Sequence, residues 1–231
     1  MKKLSILLFA LTLVCFQMTA QSSKTYDLDK FNAIAITNFA DVVFSTGPQA
    51  VSVTGSADLV ETLEIYVERG TLNITSKKGK NGNWYGKNSI KVTVSAPSLR
   101  ALAISGSGDF FSGSSLDEEK FSIAISGSGD VTWKGSINCN EVKIACSGSG
   151  DVELKGSAAN ASIACSGSGD VDMDGFKVKE AKIANSGSAD VEIYVSEKLS
   201  AVNSGSGDIE VKGSPNKKSI VNTGSGDIDY R

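Results

Sequence analysis

The five-residue phrase Ser-Gly-Ser-Gly-Asp returns down the C-terminal two-thirds of the chain at a nearly constant interval. It stands at Ser105 to Asp109, Ser126 to Asp130, Ser147 to Asp151, Ser166 to Asp170 and Ser204 to Asp208. Two variants complete the series: Ser186 to Asp190, with Ala189 for the second glycine, and Thr223 to Asp227. The aspartates are therefore Asp109, Asp130, Asp151, Asp170, Asp190, Asp208 and Asp227, separated by 21, 21, 19, 20, 18 and 19 residues. A fixed period near 20 is the signature of a solenoid, in which each repeat is one turn stacked on the next.

Aligned on the aspartate, the repeats resolve into columns. One residue after it stand Phe110, Val131, Val152, Val171, Val191, Ile209 and Ile228; three after it stand Trp133, Leu154, Met173, Ile193, Val211 and Tyr230. Between these lie Thr132, Glu153, Asp172, Glu192, Glu210 and Asp229. Apolar, polar, apolar is the alternation of a strand with one buried face. The first repeat breaks this register, because Phe111, Ser112 and Gly113 reach the next turn one residue early. That second turn is marked elsewhere by Lys134-Gly135, Lys155-Gly156 and Lys212-Gly213.

The approach to each aspartate is a second strand. Seven positions before it stand Leu102, Ile123, Ile144, Ile163, Ile183, Ala201 and Ile220. Five before it stand Ile104, Ile125, Cys146, Cys165, Asn185, Asn203 and Asn222. The shared parity points both columns inward, and stacked inward asparagines are expected to hydrogen-bond one another along the column. Each repeat then reads as strand, glycine-rich turn, strand, Lys-Gly turn. Residues 101–231 are expected to form a parallel β-helix of about seven rungs of 18 to 21 residues, right-handed by the usual crossover preference. An antiparallel β-meander is the alternative. Glycine density and β-branched content exclude helix.

The turn glycines are Gly106, Gly108, Gly127, Gly129, Gly148, Gly150, Gly167, Gly169, Gly187, Gly205, Gly207, Gly224 and Gly226. Such glycines supply either positive φ or a close backbone approach at a corner. The seven aspartates admit two readings. Their side chains accept from nearby backbone N–H groups and the corner is structural, or their carboxylates form a column of hard oxygen ligands for calcium. One carboxylate per corner is few for calcium. Two charges about 4.8 Å apart repel by only roughly 0.9 kcal/mol in water, so no cation is demanded.

Cys146 and Cys165 share a column on adjacent rungs, close enough for a disulfide, but their in-register side chains favour buried free thiols. Six positions before each aspartate stand Ala103, Ala124, Ala145, Ala164, Ala184, Val202 and Val221, an outward column of small apolar side chains. Such a strip is either an association face or is covered by a loop.

The period fails before residue 101. Segments 31–37, 41–45, 50–54, 63–68, 71–76 and 89–95 read as strands, 57–63 as a helical turn or two, and 77–87 as an exposed loop. Residues 30–100 are expected to be a less regular β region capping the first rung, since a solenoid end exposes core and strand edges. Residues 1–20 carry Lys2 and Lys3 ahead of a short apolar run, which reads as a cleaved signal peptide. Residues 21–29 read as a short tail, and 30–231 as a single domain.

Composition narrows the function. Without Lys2 and Lys3 the chain has 21 basic and 26 acidic residues, a net charge of −5, with no basic cluster interleaved with aromatics. Nucleic-acid binding is not expected, nor attraction to an anionic membrane. There are no histidines. That removes His general bases, Ser-His-Asp and Cys-His machinery, and His-ligated metal. No cofactor and no catalytic residue is indicated. After signal cleavage no apolar stretch is long enough for a transmembrane helix.

The Ser-Gly-Ser-Gly-Asp-Val phrases at Ser126 to Val131, Ser147 to Val152 and Ser166 to Val171 resemble the bacterial putative auto-transporter adhesin head GIN domain family. So does the preceding Ser95-Ala-Pro-Ser-Leu-Arg-Ala-Leu, which ends at Leu102. The resemblance covers roughly residues 30–230. It implies an exported bacterial protein, a β-helix-like fold and an adhesion role, and it carries over no catalytic residue. The expectation is an exported, non-enzymatic periplasmic, cell-surface or secreted protein that binds a surface glycan or protein, or plays a structural part. Two alternatives stand beside it: a carbohydrate-active β-helix enzyme, which needs clustered carboxylates or an Arg or Lys base in a groove, and a self-assembling scaffold forming a homo-oligomer.

Overall fold

The computed structural model describes residues 21–77 and 90–230. The expected signal segment and most of the expected loop at 77–87 fall outside the described residues. The chain is an all-β solenoid of stacked parallel strands, with antiparallel strands only at its N-terminal end.

The N-terminal region comprises β1 (Gln21–Tyr26), β2 (Ala33–Ile36), β3 (Asp41–Thr46), β4 (Ala50–Ser56), helix α1 (Ala57–Thr62), β5 (Leu63–Glu68), β6 (Thr71–Ser76) and β7 (Lys91–Ala96). Residues 21–26 thus form a strand, antiparallel to β4, where the sequence suggested a tail. β5 and β6 form a hairpin whose two-residue turn, Arg69-Gly70, has positive φ at both positions (50° and 76°), matching the twist of the flanking strands.

The repeats follow as β8 (Ala101–Ile104), β9 (Phe110–Ser112), β10 (Leu116–Ile125), β11 (Val131–Cys146), β12 (Val152–Cys165), β13 (Val171–Asn185), β14 (Val191–Asn203), β15 (Ile209–Lys212), β16 (Lys217–Asn222) and β17 (Ile228–Tyr230). Equivalent positions are in register: Ile104 lies beside Ile125, Ile125 beside Cys146, and Cys146 beside Cys165. The inward columns are buried from Ile34 through Val211.

The capping region hides a rung of its own. β2 runs parallel to β8, pairing Ile34 with Leu102 and Ile36 with Ile104, and β3 runs parallel to β9, pairing Val42 with Phe110. Residues 33–46 are therefore a repeat with a degenerate corner, Thr37-Asn38-Phe39-Ala40-Asp41. β6 and β7 stack on its far side. Space and sequence disagree in order here, because the rung at 33–46 sits between the strands at 71–96 and those at 101–112. β4 and β5 then close this end as antiparallel neighbours of β7 and β6. That pairing covers the edge a bare solenoid would leave open.

Each rung also has a third short side. Register shifts occur between Trp133 and Ser136, between Glu153 and Gly156, and between Met173 and Lys177. After them Ile137, Ala158 and Val178 turn inward. The two-strand rung expected from the sequence is thus a three-sided one. The differences in repeat length are absorbed at these bends.

The asparagine column faces inward as expected but does not bond along its own length. Asn203 donates from Nδ2 to the Gly207 carbonyl (2.9 Å) and accepts at Oδ1 from the Gly205 N–H (3.2 Å). Asn185 and Asn222 hold Ala189 and Gly226 in the same way, at 2.8 and 2.7 Å. Each amide clamps its own corner from within, where backbone groups need satisfying, and Asn185 also reaches the Gly207 carbonyl of the next rung at 3.4 Å. Asn203→Leu keeps the volume and removes the clamp, leaving the half-buried Gly205 N–H unpaired and the Gly207 carbonyl with only the longer bond from Asn185 at 3.4 Å. Denaturant unfolding is expected to show a loss of about 2 kcal/mol. An unchanged midpoint would mean that the corner holds itself.

Candidate functional site

The corners set the chemistry on the outer surface. Their glycines do not adopt positive φ; among the described residues the glycines that do are Gly70, Gly156 and Gly213. What requires glycine is close approach, because a Cβ on Gly148 would lie 1.9 Å from the Gly127 carbonyl oxygen of the preceding rung. The corner itself is a stacked ladder: Ser147 N–H donates to Ile125 C=O and Ser149 N–H to Gly127 C=O, at 2.8 and 3.0 Å.

The aspartates continue that ladder on the outside. Each carboxylate accepts from the backbone N–H of the next aspartate: Asp130 N–H to Asp109 Oδ1 at 3.0 Å, Asp151 to Asp130 at 2.9 Å, and Asp170 to Asp151 at 2.8 Å. Asp190, Asp208 and Asp227 extend it at 2.8, 2.7 and 2.7 Å. The sequence reading missed its first member, because Asp109 N–H donates to Asp41 at 3.2 Å. A signal was present in the spacing: Ile34 and Ile36 precede Asp41 by seven and five residues, and Val42 and Phe44 follow by one and three.

This is not the local turn in which an aspartate accepts from its own segment. One oxygen of each carboxylate from Asp41 to Asp208 in this column is engaged between rungs. Beside this column runs a second acidic one, containing Glu153 and Asp172. Asp130, Asp151, Asp170, Glu153 and Asp172 line an open depression of about 290 Å³. Among the described residues no three acidic or cysteine side chains converge as a metal-holding group.

The column from Ala103 to Val221 lies on the outer side of another sheet. Ala103, Ala124, Ala145, Ala164, Ala184, Val202 and Val221 are neighbours in register, and Ala35 extends the row to the hidden rung. Ala124 onward is exposed, reaching 41% at Val202 and 48% at Val221.

Around the bend from that face lies a depression of about 530 Å³, lined by Asn160, Ser162, Glu180, Lys182, Lys198, Ser200, Lys217, Lys218 and Ser219 over Ala161, Ala181 and Leu199. Earlier rungs carry paired charges at this bend. Lys120 and Lys143 both pair with Glu141, at 3.1 and 2.9 Å, and their hydrogen bonds hold the Glu141 carboxyl below its ordinary range. Arg100 pairs with Glu118, which also holds Ser98. Lys80 and Lys87, two further basic residues of the expected loop, lie outside the described residues.

Cys146 and Cys165 are buried free thiols side by side in register. The hydrogen bond to Cys146 and burial hold the Cys165 thiol well above the ordinary range. Cys139 is half-buried, and its burial with the nearby Glu141 carboxylate pushes its thiol up to about 11. The thiolate is the reactive form. Iodoacetamide at neutral pH is therefore expected to label the native chain slowly, at Cys139 alone, with the rate rising towards pH 11. In denaturant Cys139, Cys146 and Cys165 should all react. A single reactive thiol there would mean that Cys146 and Cys165 are bridged.

A family model described as "Putative auto-transporter adhesin, head GIN domain" matches residues 30–215. No curated protein matches the chain. Among solved structures, a putative adhesin from Bacteroides fragilis is similar with a TM-score of 0.83 and 23% identity, covering 92% of this chain and 97% of that one. A putative lipid binding protein from Parabacteroides distasonis follows with a TM-score of 0.71 and 24% identity, covering 90% and 96%. A putative adhesin from Parabacteroides merdae has a TM-score of 0.64 and 21% identity, covering 90% and 96%. At these identities the likeness establishes the fold. With the family model matching most of the sequence, the chain belongs to the putative auto-transporter adhesin, head GIN domain family.

Proposed function

We propose that this protein is exported to the periplasm or cell surface and acts there as a non-enzymatic binding module. The observation that carries the reading is the construction of the rungs. Corners are stacked backbone, the interior is filled by side chains such as Trp133, Leu154 and Met173, and the aspartates are tied into a ladder. Chemistry open to a partner is confined to long outer columns, which suits adhesion to an extended ligand better than turnover of a small one. The family's adhesin label agrees, and no helix among the described residues is long and apolar enough to cross a membrane.

Protease added to intact cells tests the location: digestion of the chain without lysis is expected for a surface protein, and digestion after opening the outer envelope for a periplasmic one. Protection until the cytoplasm is opened would overturn export. Incubation with acidic and neutral polysaccharides is expected to release no reducing ends, and sustained release would restore the enzyme alternative. The scaffold alternative uses the alanine column as a contact between copies. Ala145→Lys with Ala164→Lys should leave the solution mass unchanged; a fall from oligomer to monomer would favour the scaffold.

A further inference from the structure

The depression at the C-terminal bend breaks a pattern that the rest of the solenoid keeps. The column that crosses it runs Lys120, Glu141, Asn160, Glu180, Lys198, Lys217 in register. Its first two members, Lys120 and Glu141, pair. At the far end the pairing is incomplete. Lys198 meets Glu180 at 3.5 Å, but Lys217 follows without an acid, and Lys182 and Lys218 stand in the neighbouring columns. Neither Lys182 nor Lys217 has a carboxylate within ion-pair distance among the described residues. Lys218 lies over the Tyr230 ring at 4.0 Å. A chain that is acidic overall thus gathers four ammonium groups and one carboxylate around one concavity.

The floor suits a ligand. The inward column at this bend begins with Phe121 and Val142 and shrinks to Ala161 and Ala181, which with Leu199 underlie the depression. Ser162, Ser200 and Ser219 add hydroxyls along its side. Beneath it Ile163, Ile183 and Ala201 are buried side chains of the core. Lys182, Lys198 and Lys217 belong to three successive rungs. Ammonium groups carried on successive rungs match charges repeated along a polymer better than a single small anion.

We propose that this depression binds an anionic polysaccharide, with Lys182, Lys198 and Lys217 meeting its carboxylates and the serine hydroxyls its hydroxyl groups. The proposal deepens the binding-module reading, and the two fail separately. Protease accessibility asks where the chain is; polysaccharide binding asks what the depression holds.

The test is calorimetry of the purified chain with polygalacturonate at low salt. Neutral dextran, monomeric galacturonate and vesicles of phosphatidylglycerol with phosphatidylcholine serve as comparisons. Binding to polygalacturonate is expected, weakening as salt shortens the electrostatic range, with monomer and dextran far weaker. Lys182→Glu with Lys217→Glu should lower the affinity at least roughly tenfold. Asp172→Asn, on the acidic strip, should leave it unchanged. Lys182→Gln with Lys217→Gln gives a milder version should the charge reversal disturb folding, checked by circular dichroism. Absence of binding, binding that survives both lysine pairs, or equal binding of dextran would overturn the proposal. Tighter, lysine-dependent binding of the vesicles would overturn it in favour of a lipid headgroup, and equal binding of monomer would reduce the site to one for small anions.

Discussion

Gly148→Ala is expected to lower the melting temperature by roughly 6–12 °C, while Gly113→Ala stays within a degree or two of the wild type. Both substitutions add one methyl group to a glycine beside serine in an outer turn. They differ in what the methyl meets. At Gly148 a Cβ falls 1.9 Å from the Gly127 carbonyl oxygen and 2.8 Å from the Ser126 carbonyl carbon, both backbone atoms of the preceding rung. Backbone that carries a hydrogen-bonded ladder on each side does not step aside cheaply, so the rungs must part locally or the corner must rebuild. Overpacking of this kind costs about 3 kcal/mol, which for a chain of this size corresponds to the stated fall. At Gly113 the nearest atom is the Phe111 ring at 4.0 Å. The other corner column offers an internal calibration. Ala189 stands there naturally, so Gly169→Ala should cost less than Gly148→Ala. Thermal melts of the three variants decide the matter. A Gly148→Ala protein melting with the wild type would show that rung spacing at the corner is not what demands glycine.

The reason for those glycines was the part of the corner that the sequence could not supply. Position and period were plain, but positive φ and close approach predict the same residue, and the deciding atom belongs to a residue 21 positions earlier. The same limit explains the asparagines. Alternation fixed the face of Asn185, Asn203 and Asn222, yet their partner is a carbonyl four residues on, set by how the corner folds back over the core. The rung at 33–46 escaped notice because Thr37 to Asp41 keeps the aspartate and the flanking apolar spacings but none of the serines or glycines. Its distance from Asp109, 68 residues, is no simple multiple of the period. The lysine-lined depression was less legible still. It arises where columns change size and sign from rung to rung, and no single repeat carries it.

The expected loss for Trp133→Ala is about 4–6 kcal/mol, enough to lower the melting temperature by roughly 10–20 °C. The indole is fully buried and lies against three other rings: Phe121 edge-on at 5.4 Å, Phe44 at 5.6 Å and Phe110 at 5.8 Å. Phe44 belongs to the hidden rung, two steps away in the stack. Contact across that distance is possible because the position between them is Ser112, a small buried side chain paired in register with both Trp133 and Phe44. The early turn at Phe111, Ser112 and Gly113, a flaw in the periodic pattern, is what makes room for the cluster. Removing the indole therefore opens a cavity at the junction of the regular repeats and the capping region, where Nε1 also donates to the Ser114 carbonyl at 2.7 Å. Trp133→Phe keeps part of the ring packing and loses that hydrogen bond, so it should retain more than half of the lost stability. If Trp133→Ala unfolds in one transition, the cap and the repeats are one cooperative unit. If the capping strands melt first, with the repeats intact, the aromatic cluster is the joint between two separable halves, and the loss of stability will register only in the earlier transition.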